Sequence, residues 1–298
     1  MQLKDILQKT TQFLRDKGSP SARLDTEMLI ASALKWDRIK LYLNYEYPLN
    51  EQELGIAREF VRRRASGEPV AYILGTKDFH NHSFKVNRAV LIPRPETESI
   101  VEAAIDFSNE ASEQADSSTR VVDLGTGSGC IGLSVIAGVP DAQLLGVDVS
   151  PLAIEVAKEN AERLEVAERA HFLTANAGSI TRTQVEETLG GAADMVLANP
   201  PYIDQLDPAV ETNVKLFEPQ EALFSPDHGL AHIRDWARVA GEIARDGALV
   251  MFEIGHEQGE AARGIFWTSG RFQDVEIVKD LSGRERFIRA RVGSQQSQ

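Results

Sequence analysis

Residues 193–198 (ADMVLA) form an apolar run, and Asn199-Pro200-Pro201-Tyr202 follows it directly. Two consecutive prolines lack N–H donors and fix φ, so this loop is stiff and cannot continue as a helix. An amide, a free carbonyl and an aromatic ring held in such a loop suit a planar –NH₂ group. The Asn199 side-chain oxygen and the Pro200 carbonyl can accept its two hydrogens, while Tyr202 covers one face of the plane. These acceptors draw the nitrogen lone pair out of conjugation and aim it at an electrophile. Beside a sulfonium methyl donor, the reaction is an in-line methyl transfer needing neither metal nor strong base, with positioning as its main source of acceleration. Taken alone, the tetrapeptide is equally a rigid Pro-Pro turn.

A second constellation narrows the choice. Asp123-Leu124-Gly125-Thr126-Gly127-Ser128-Gly129 joins an apolar strand to an apolar helix. Three glycines spaced by two permit positive-φ turns and close approach of a ligand to the backbone. The loop lacks the Gly-Lys-Ser/Thr ending of a phosphate-binding loop, and Cys130 stands where the dinucleotide fingerprint requires glycine. It therefore suits a ligand without a pyrophosphate. Asp148 ends the next strand, where a carboxylate can accept both ribose hydroxyls. Separately these are a tight turn and a surface or capping Asp. In the order strand, loop, helix, strand they point to an adenosine-containing ligand. Cys130, small and apolar at a helix start, needs no role beyond packing.

The elements that must position these groups are those of an α/β sheet. Residues 121–124, 144–148, 170–174, 194–198 and 249–254 read as strands, with further strands at 273–279 and 285–291. A helix runs through Val135, another opens with Ser150 as N-cap and Pro151 at its first position, and 229–245 and 257–267 complete the set. The front of the chain, 3–66, is helical. Leu3, Ile6, Leu7 and Leu14 share one face; Leu24, Met28 and Ala31 form a second stripe; Leu54, Ala57 and Val61 form a third. That third helix ends in Arg62-Arg63-Arg64, read as a solvated end favoured by the helix dipole, with a partner-binding patch as the alternative. From Val70 to Ile92 the period is strand-like, with a hairpin tip at His80-Asn81-His82-Ser83. Pro93-Arg94-Pro95 then breaks the chain before a helix carrying Ile100, Val101, Ala104 and Ile105. Residues 108–119 read as an exposed polar connection.

The 298 residues suit one large and one small domain, and 42% hydrophobic with 26% charged residues excludes a mostly disordered chain. Net charge is −13 but uneven: residues 1–85 hold 14 basic and 11 acidic side chains (+3), and 86–298 hold 18 and 34 (−16). A nucleic-acid binder needs a basic footprint, so nucleic acid is not expected as a direct substrate. The one cysteine, Cys130, excludes an intramolecular disulfide and a cysteine-rich metal site. Six histidines do not cluster, and His256-Glu257 lacks the second histidine of a zinc-protease motif because Glu260 stands there. No metal site is expected, and no Gly-x-Ser-x-Gly elbow supports acyl-enzyme chemistry. Lys4 and Asp5 interrupt the apolar start, and no long apolar run follows, so neither a signal peptide nor a membrane span is expected and the location should be cytoplasmic.

The glycine turn and NPPY together look like an S-adenosylmethionine-dependent amino-methyltransferase. NPPY is shared by adenine-N(6) DNA methyltransferases and protein-glutamine N(5)-methyltransferases. The flanks discriminate. Arg23-Leu24-Asp25, RRRASGEPVAYILGTKDF (62–79), VLIPRPETE (90–98), FEPQEALFSPDHGL (217–230) and DLSGRER (280–286) closely resemble the bacterial release-factor glutamine methyltransferase family (PrmC/HemK type) over nearly the whole chain. The resemblance implies an α/β class I S-adenosylmethionine-dependent methyltransferase, Rossmann-like, with a mostly parallel seven-stranded sheet. The expected domains are a helical substrate-docking domain at 1–70, a β-hairpin connector at 71–92, the catalytic domain at 93–292 and a flexible tail at 293–298. The implied substrate is a peptide chain release factor, methylated by a monomer on the glutamine of its Gly-Gly-Gln loop; glutamine in a ribosomal protein and adenine in nucleic acid are the alternatives. By motif match, Gly125, Thr126, Gly127, Ser128 and Gly129 hold the methionine part of S-adenosyl-L-methionine, Asp148 holds its ribose, and S-adenosyl-L-homocysteine leaves. Asn199, Pro200, Pro201 and Tyr202 bind the acceptor glutamine, with Asn199 also beside the cofactor, and Arg94, Pro95 and Glu96 border the pocket. One departure concerns adenine. The family's Asp-aromatic pair is Asn176-Ala177 here; Asn176 can still meet the adenine amine, but no aromatic follows it.

Overall fold

The computed structural model describes residues 2–112, 118–208, 210–280 and 282–293. The chain divides into two units, Met1–Thr76 with Glu211–Phe217, and Lys77–Val210 with Glu218–Gln298.

Apolar residues at helical spacing build the first unit: α1 (Leu3–Asp16), α2 (Ala22–Leu34), α3 (Arg38–Leu43), α4 (Glu51–Ala65) and α5 (Val70–Leu74). α1 turns Leu3, Ile6 and Leu14 inward. α4 opens on a capping box in which Asn50 Oδ1 accepts the Glu53 N–H and Glu53 Oε2 accepts the Asn50 N–H, each at 2.9 Å. The Leu24, Met28, Ala31 stripe is the buried face of α2 only in part. Ala31 is buried and Met28 half-buried, but Leu24 is exposed, and Asp25, Thr26, Leu29, Ile30 and Ala33 are buried as well. α2 is covered on two sides because its acids are bonded to other segments. Asp25 accepts from Ser19 Oγ (2.6 Å), Ser21 Oγ (2.8 Å) and Arg64 Nε (2.7 Å), and Glu27 from Arg23, Arg38 and Tyr42.

This also corrects the reading of the basic run. Arg62 pairs with Glu59 on the surface, but Arg63 grips Glu68 through two bonds of 2.8 Å and Arg64 closes on buried Asp25. A buried carboxylate without its cation is strongly destabilising, so Arg63 and Arg64 are fold-forming cations rather than a solvated end or a free docking patch. Val70–Leu74 is helical, not strand-like, and ends at Gly75 in the left-handed region (φ 75°).

In the second unit, β1 (Thr76–Phe79) and β2 (His82–Lys85) form the hairpin. His80 and Asn81, both at positive φ (42° and 65°), make a two-residue turn suited to the twist of the strands. The tip is shorter than the expected 80–83, because His82 already opens β2, and Val90-Leu91-Ile92 is not a strand. α6 (Glu98–Ser112) buries Ile100, Val101 and Ala104. Of the connection expected at 108–119, residues 108–112 complete α6. Residues 113–117 lie outside the described residues, as do Leu281 of DLSGRER and 294–298 of the expected tail.

The sheet follows: β3 (Arg120–Leu124), α7 (Cys130–Gly138), β4 (Gln143–Asp148), α8 (Pro151–Arg163), β5 (Ala170–Thr174), α9 (Arg182–Leu189), β6 (Ala193–Ala198), α10 (Thr212–Phe217), α11 (Ala231–Ile243), β7 (Ala244–Glu253), α12 (Gly259–Thr268), β8 (Phe272–Lys279) and β9 (Glu285–Val292). Strand order is β5-β4-β3-β6-β7-β9-β8, and only β9 runs against its neighbours. Both faces are covered, so the central strands are continuous apolar runs. In β3, Val122 and Leu124 join the core that includes α9, α11 and α12, while Val121 joins the core that includes α6 and α7. α10 belongs to the first unit, where Asn213 packs against Gly67. Among the described residues, no helix is long and apolar enough to cross a membrane.

Candidate active site

A cavity of about 600 Å³ opens at the carboxyl ends of β3, β4, β5 and β6, the crevice where open α/β sheets place ligands. Each of those strands sends one sequence-singled residue or loop to its wall: Gly125, Thr126, Gly127 and Ser128 after β3, Asp148 from β4, Asn176 after β5, and Asn199 with Pro201 after β6. Arg94 lines it as well. Five others do not. Gly129 caps α7, Pro200 is buried, Pro95 and Glu96 are exposed outside the cavity, and Tyr202 turns its hydroxyl inward.

The β3 side is shaped by backbone. Gly125 sits at φ +71°, and a Cβ there would lie 2.6 Å from a ring carbon of Trp236, so the loop can rest on that indole only as glycine. Asp123, 1% exposed, gathers the loop: its Oδ2 accepts from Thr126 Oγ1 (2.8 Å) and the Gly132 N–H (3.1 Å), while its Oδ1 has no hydrogen-bond partner among the described residues. Burial pushes its carboxyl up to about 7, against the pull of those two donors. Asp148 Oδ2 accepts the Gly127 N–H and its Oδ1 the Ser150 N–H, both at 2.9 Å. Of the carboxylate's four lone pairs, one not taken by the backbone donors remains for a ligand hydroxyl. Burial raises the Asp148 carboxyl, opposed by the backbone N–H donors of Ser150, Gly127 and Val149. Asn160 of α8, fully buried, ties the loop to the hairpin by donating to Ser128 O (2.8 Å) and Lys85 O (3.0 Å). Cys130 lines the cavity, but burial first, then the nearby acids, push its thiol up to about 12, so it is no nucleophile.

The β6 side is shaped by side chains. Tyr202 Oη donates to Glu253 Oε1 (3.0 Å), and the Tyr202 carbonyl accepts from Gln258 Nε2 (2.9 Å). Arg94 reaches Glu218 at 2.6 Å, and Glu218 also accepts the Ile92 N–H, which joins the PRPET segment to the FEPQEA segment. α11 adds two rings that carried no sequence signal beyond a helical pattern. Trp236 lies under Gly125 and near Gly178, and His232 meets it edge-on at 5.9 Å while its Nδ1 bonds Ser225 Oγ at 2.7 Å. Trp236, 59 residues beyond Ala177 in the chain, lines the same cavity. Asn176 commits its amide oxygen to the Gly178 N–H (2.8 Å).

Comparison with known proteins agrees with this architecture. Residues 5–75 match the model of the PrmC N-terminal domain, and 108–230 that of the methyltransferase small domain. A release factor glutamine methyltransferase of Geobacter sulfurreducens is 39% identical over 98% of this chain and 97% of its own length. The chain belongs to the release factor glutamine methyltransferase family. Relatives of the same name in Leptospira interrogans (38%, covering 95% of this chain and 96% of that one) and Rhodopirellula baltica (34%, 95% and 94%) match equally broadly. Among solved structures, the hMettl16 catalytic domain in complex with MAT2A 3′UTR hairpin 6 aligns with a TM-score of 0.54 over 82% of this chain and 84% of that one, at 13% identity, a likeness of fold alone. The fold is that of a class I S-adenosylmethionine-dependent methyltransferase.

Proposed function

We propose that this chain transfers a methyl group from S-adenosyl-L-methionine to the side-chain amide nitrogen of the glutamine in the Gly-Gly-Gln loop of a peptide chain release factor. The observation that carries the reading is that Asn199 of the Pro-Pro loop and the glycine turn with Asp148 face one cavity, in a chain that matches a release factor glutamine methyltransferase over 98% of its length. The residues fit the cofactor: Gly127 leaves open space above it, where a Cβ would have only Gly125 O, at 3.9 Å, within contact range, and the Asp148 carboxylate keeps a lone pair free. Bound S-adenosyl-L-methionine supplies an electrophilic sulfonium methyl and leaves as S-adenosyl-L-homocysteine.

In this reading the backbone of Gly125–Gly129 carries the methionine part, Asp148 takes the ribose hydroxyls, and Asn176 with Trp236 borders adenine. Asn199 Oδ1 and the Pro200 carbonyl accept the two amide hydrogens of the substrate, which localises the nitrogen lone pair and points it along the line of attack. As the carbon–nitrogen bond forms, the nitrogen gives up one of those hydrogens as a proton to solvent. No metal is required, since holding nitrogen and methyl in line supplies up to about 7–11 kcal/mol. Pro201 and Tyr202 stiffen the acceptor side, and Arg94, held by Glu218, forms its border. We assign substrate docking to the N-terminal helices, and expect a cytoplasmic monomer.

The test offers labelled methyl donor to three acceptors: a release factor, its Gln→Glu loop variant and double-stranded DNA. Label should enter only the unmodified factor, at the glutamine. Label in the variant or in DNA would refute the assignment.

A further inference from the structure

Glu253 is the last residue of β7, one step beyond the Ala198–Phe252 pair of the β6–β7 ladder, and so sits level with Asn199 at the strand ends. It is 2% exposed, and it lines no part of the cavity. Its two oxygens accept from residues far away in sequence: Oε1 from Tyr202 Oη at 3.0 Å and Oε2 from Thr97 Oγ1 at 2.5 Å. Burial pushes the Glu253 carboxyl up, and the Thr97 and Tyr202 hydroxyls and then the charge of Arg286 pull it back. Arg286 is itself fixed by Asp280 at 2.9 Å, and its carbonyl accepts the Ile254 N–H at 2.8 Å. That gives the DLSGRER segment a place behind the site rather than in it.

Tyr202 is held at its other end as well. Gln258 Nε2 donates to the Tyr202 carbonyl (2.9 Å) and to His228 O (3.0 Å), and Gln258 Oε1 accepts the Gly255 N–H (2.8 Å). Between Tyr202 and Asn199 stand two prolines with fixed φ, and the residue before each proline is restricted to extended ψ, so few backbone torsions of the tetrapeptide are free. Whatever fixes Tyr202 therefore restrains the backbone that carries Asn199.

We infer that Glu253 is a positioning residue: with Thr97 it latches the Tyr202 hydroxyl, and through the rigid prolines this latch sets where Asn199 presents its amide to the acceptor. Tyr202 is then the anchor of the loop. The inference rests on the methyl-transfer reading for its effect on rate, but the latch itself is tested without it. A cycle of Tyr202→Phe, Glu253→Gln and the double variant is measured twice, by transfer to bound release factor and by denaturant unfolding, with Thr97→Val as a milder probe that leaves the Tyr202–Glu253 bond in place. Each of the two single changes should lower kcat by about ten- to a hundredfold, the cost of a misplaced reacting group. Cofactor affinity should be unchanged in titration. The double variant should be no slower than the worse single one, and the unfolding losses should likewise fail to add. Thr97→Val should give a smaller loss of kcat in the same direction. Losses that multiply in rate and add in stability, or a Glu253→Gln enzyme as fast as the parent, would overturn the latch. If the parent labels no release factor, the substrate assignment fails, and the unfolding cycle alone decides the latch: coupled losses uphold it, additive losses overturn it.

Discussion

The two sides of the cavity are each organised by one buried carboxylate, and they differ in reach. Asp123 collects the Thr126 hydroxyl and the Gly132 N–H, three and nine residues away. Glu253 collects Thr97 and Tyr202, 156 and 51 residues away. The first side is a local turn whose shape is written in glycine spacing and backbone amides. The second is a tertiary knot that exists only once β6 and β7 lie side by side. A local device tolerates changes elsewhere in the chain, whereas a distributed one couples the β6 side of the cavity to the whole sheet.

Breaking the acceptor side alone should have the largest effect. Asn199→Ala should cost about a thousandfold in kcat, roughly 4 kcal/mol, as losing an oriented hydrogen-bonding group does. Isothermal titration should find cofactor affinity nearly intact; a parallel loss would mean that the two sides are not separable. On the cofactor side, Gly125→Ala should destabilise the protein by about 3 kcal/mol, from left-handed backbone strain plus overlap with Trp236, whereas Gly127→Ala should cost only about 1–2 kcal/mol of strain. Equal denaturation midpoints for the two would remove Trp236 as the floor of the loop. Asp148→Asn turns an amide donor toward the N–H of Gly127 or Ser150. Cofactor dissociation constants should rise about tenfold, near 1–2 kcal/mol, with little change in kcat at saturation.

The gentlest signal is a pH slope. The Asp123 carboxyl is raised from 3.8 to about 7, so in that window the folded protein keeps a proton that the unfolded chain has released. Its contribution to stability is complete below about pH 4 and fades as pH rises through about 7, by no more than about 1.4 kcal/mol per pH unit. Asp123→Asn, which keeps an acceptor for Thr126, should flatten that slope. Unfolding free energies of parent and variant that differ equally at about pH 5 and about pH 8 would contradict it.

What was legible follows the same division between near and far. The glycine turn, the Ser150–Pro151 start of α8, where Ser150 Oγ does accept the Ala153 N–H, and the stiffness of NPPY all depend on neighbours within a few residues. The strand–helix alternation was legible because buried parallel strands must be continuous apolar runs. The misreadings have the opposite character. Val70–Leu74 carries strand-like residues, yet its Tyr72 and Ile73 are buried as a helical turn closed by Gly75. Residues 182–189 were assigned no element from the sequence, yet they form α9, which Thr181 and Gln184 cap reciprocally and Gly190 ends. Arg63 and Arg64 looked like surface charge until Glu68 and Asp25 were seen beneath them.

By itself, the sequence determined the chemistry on offer: a glycine turn that admits a ligand to the backbone, an acid one strand later, and an amide set in a rigid proline loop. These rest on backbone freedom and stiffness, which are properties of the residues themselves. Only the tertiary structure decided how the offer is held in place. It set Trp236 under Gly125, Glu218 against Arg94, and Glu253 between Thr97 and Tyr202. Hydrogen bonds and packing between distant segments depend on which strands become neighbours, and strand order is settled by burying both faces of the sheet at once.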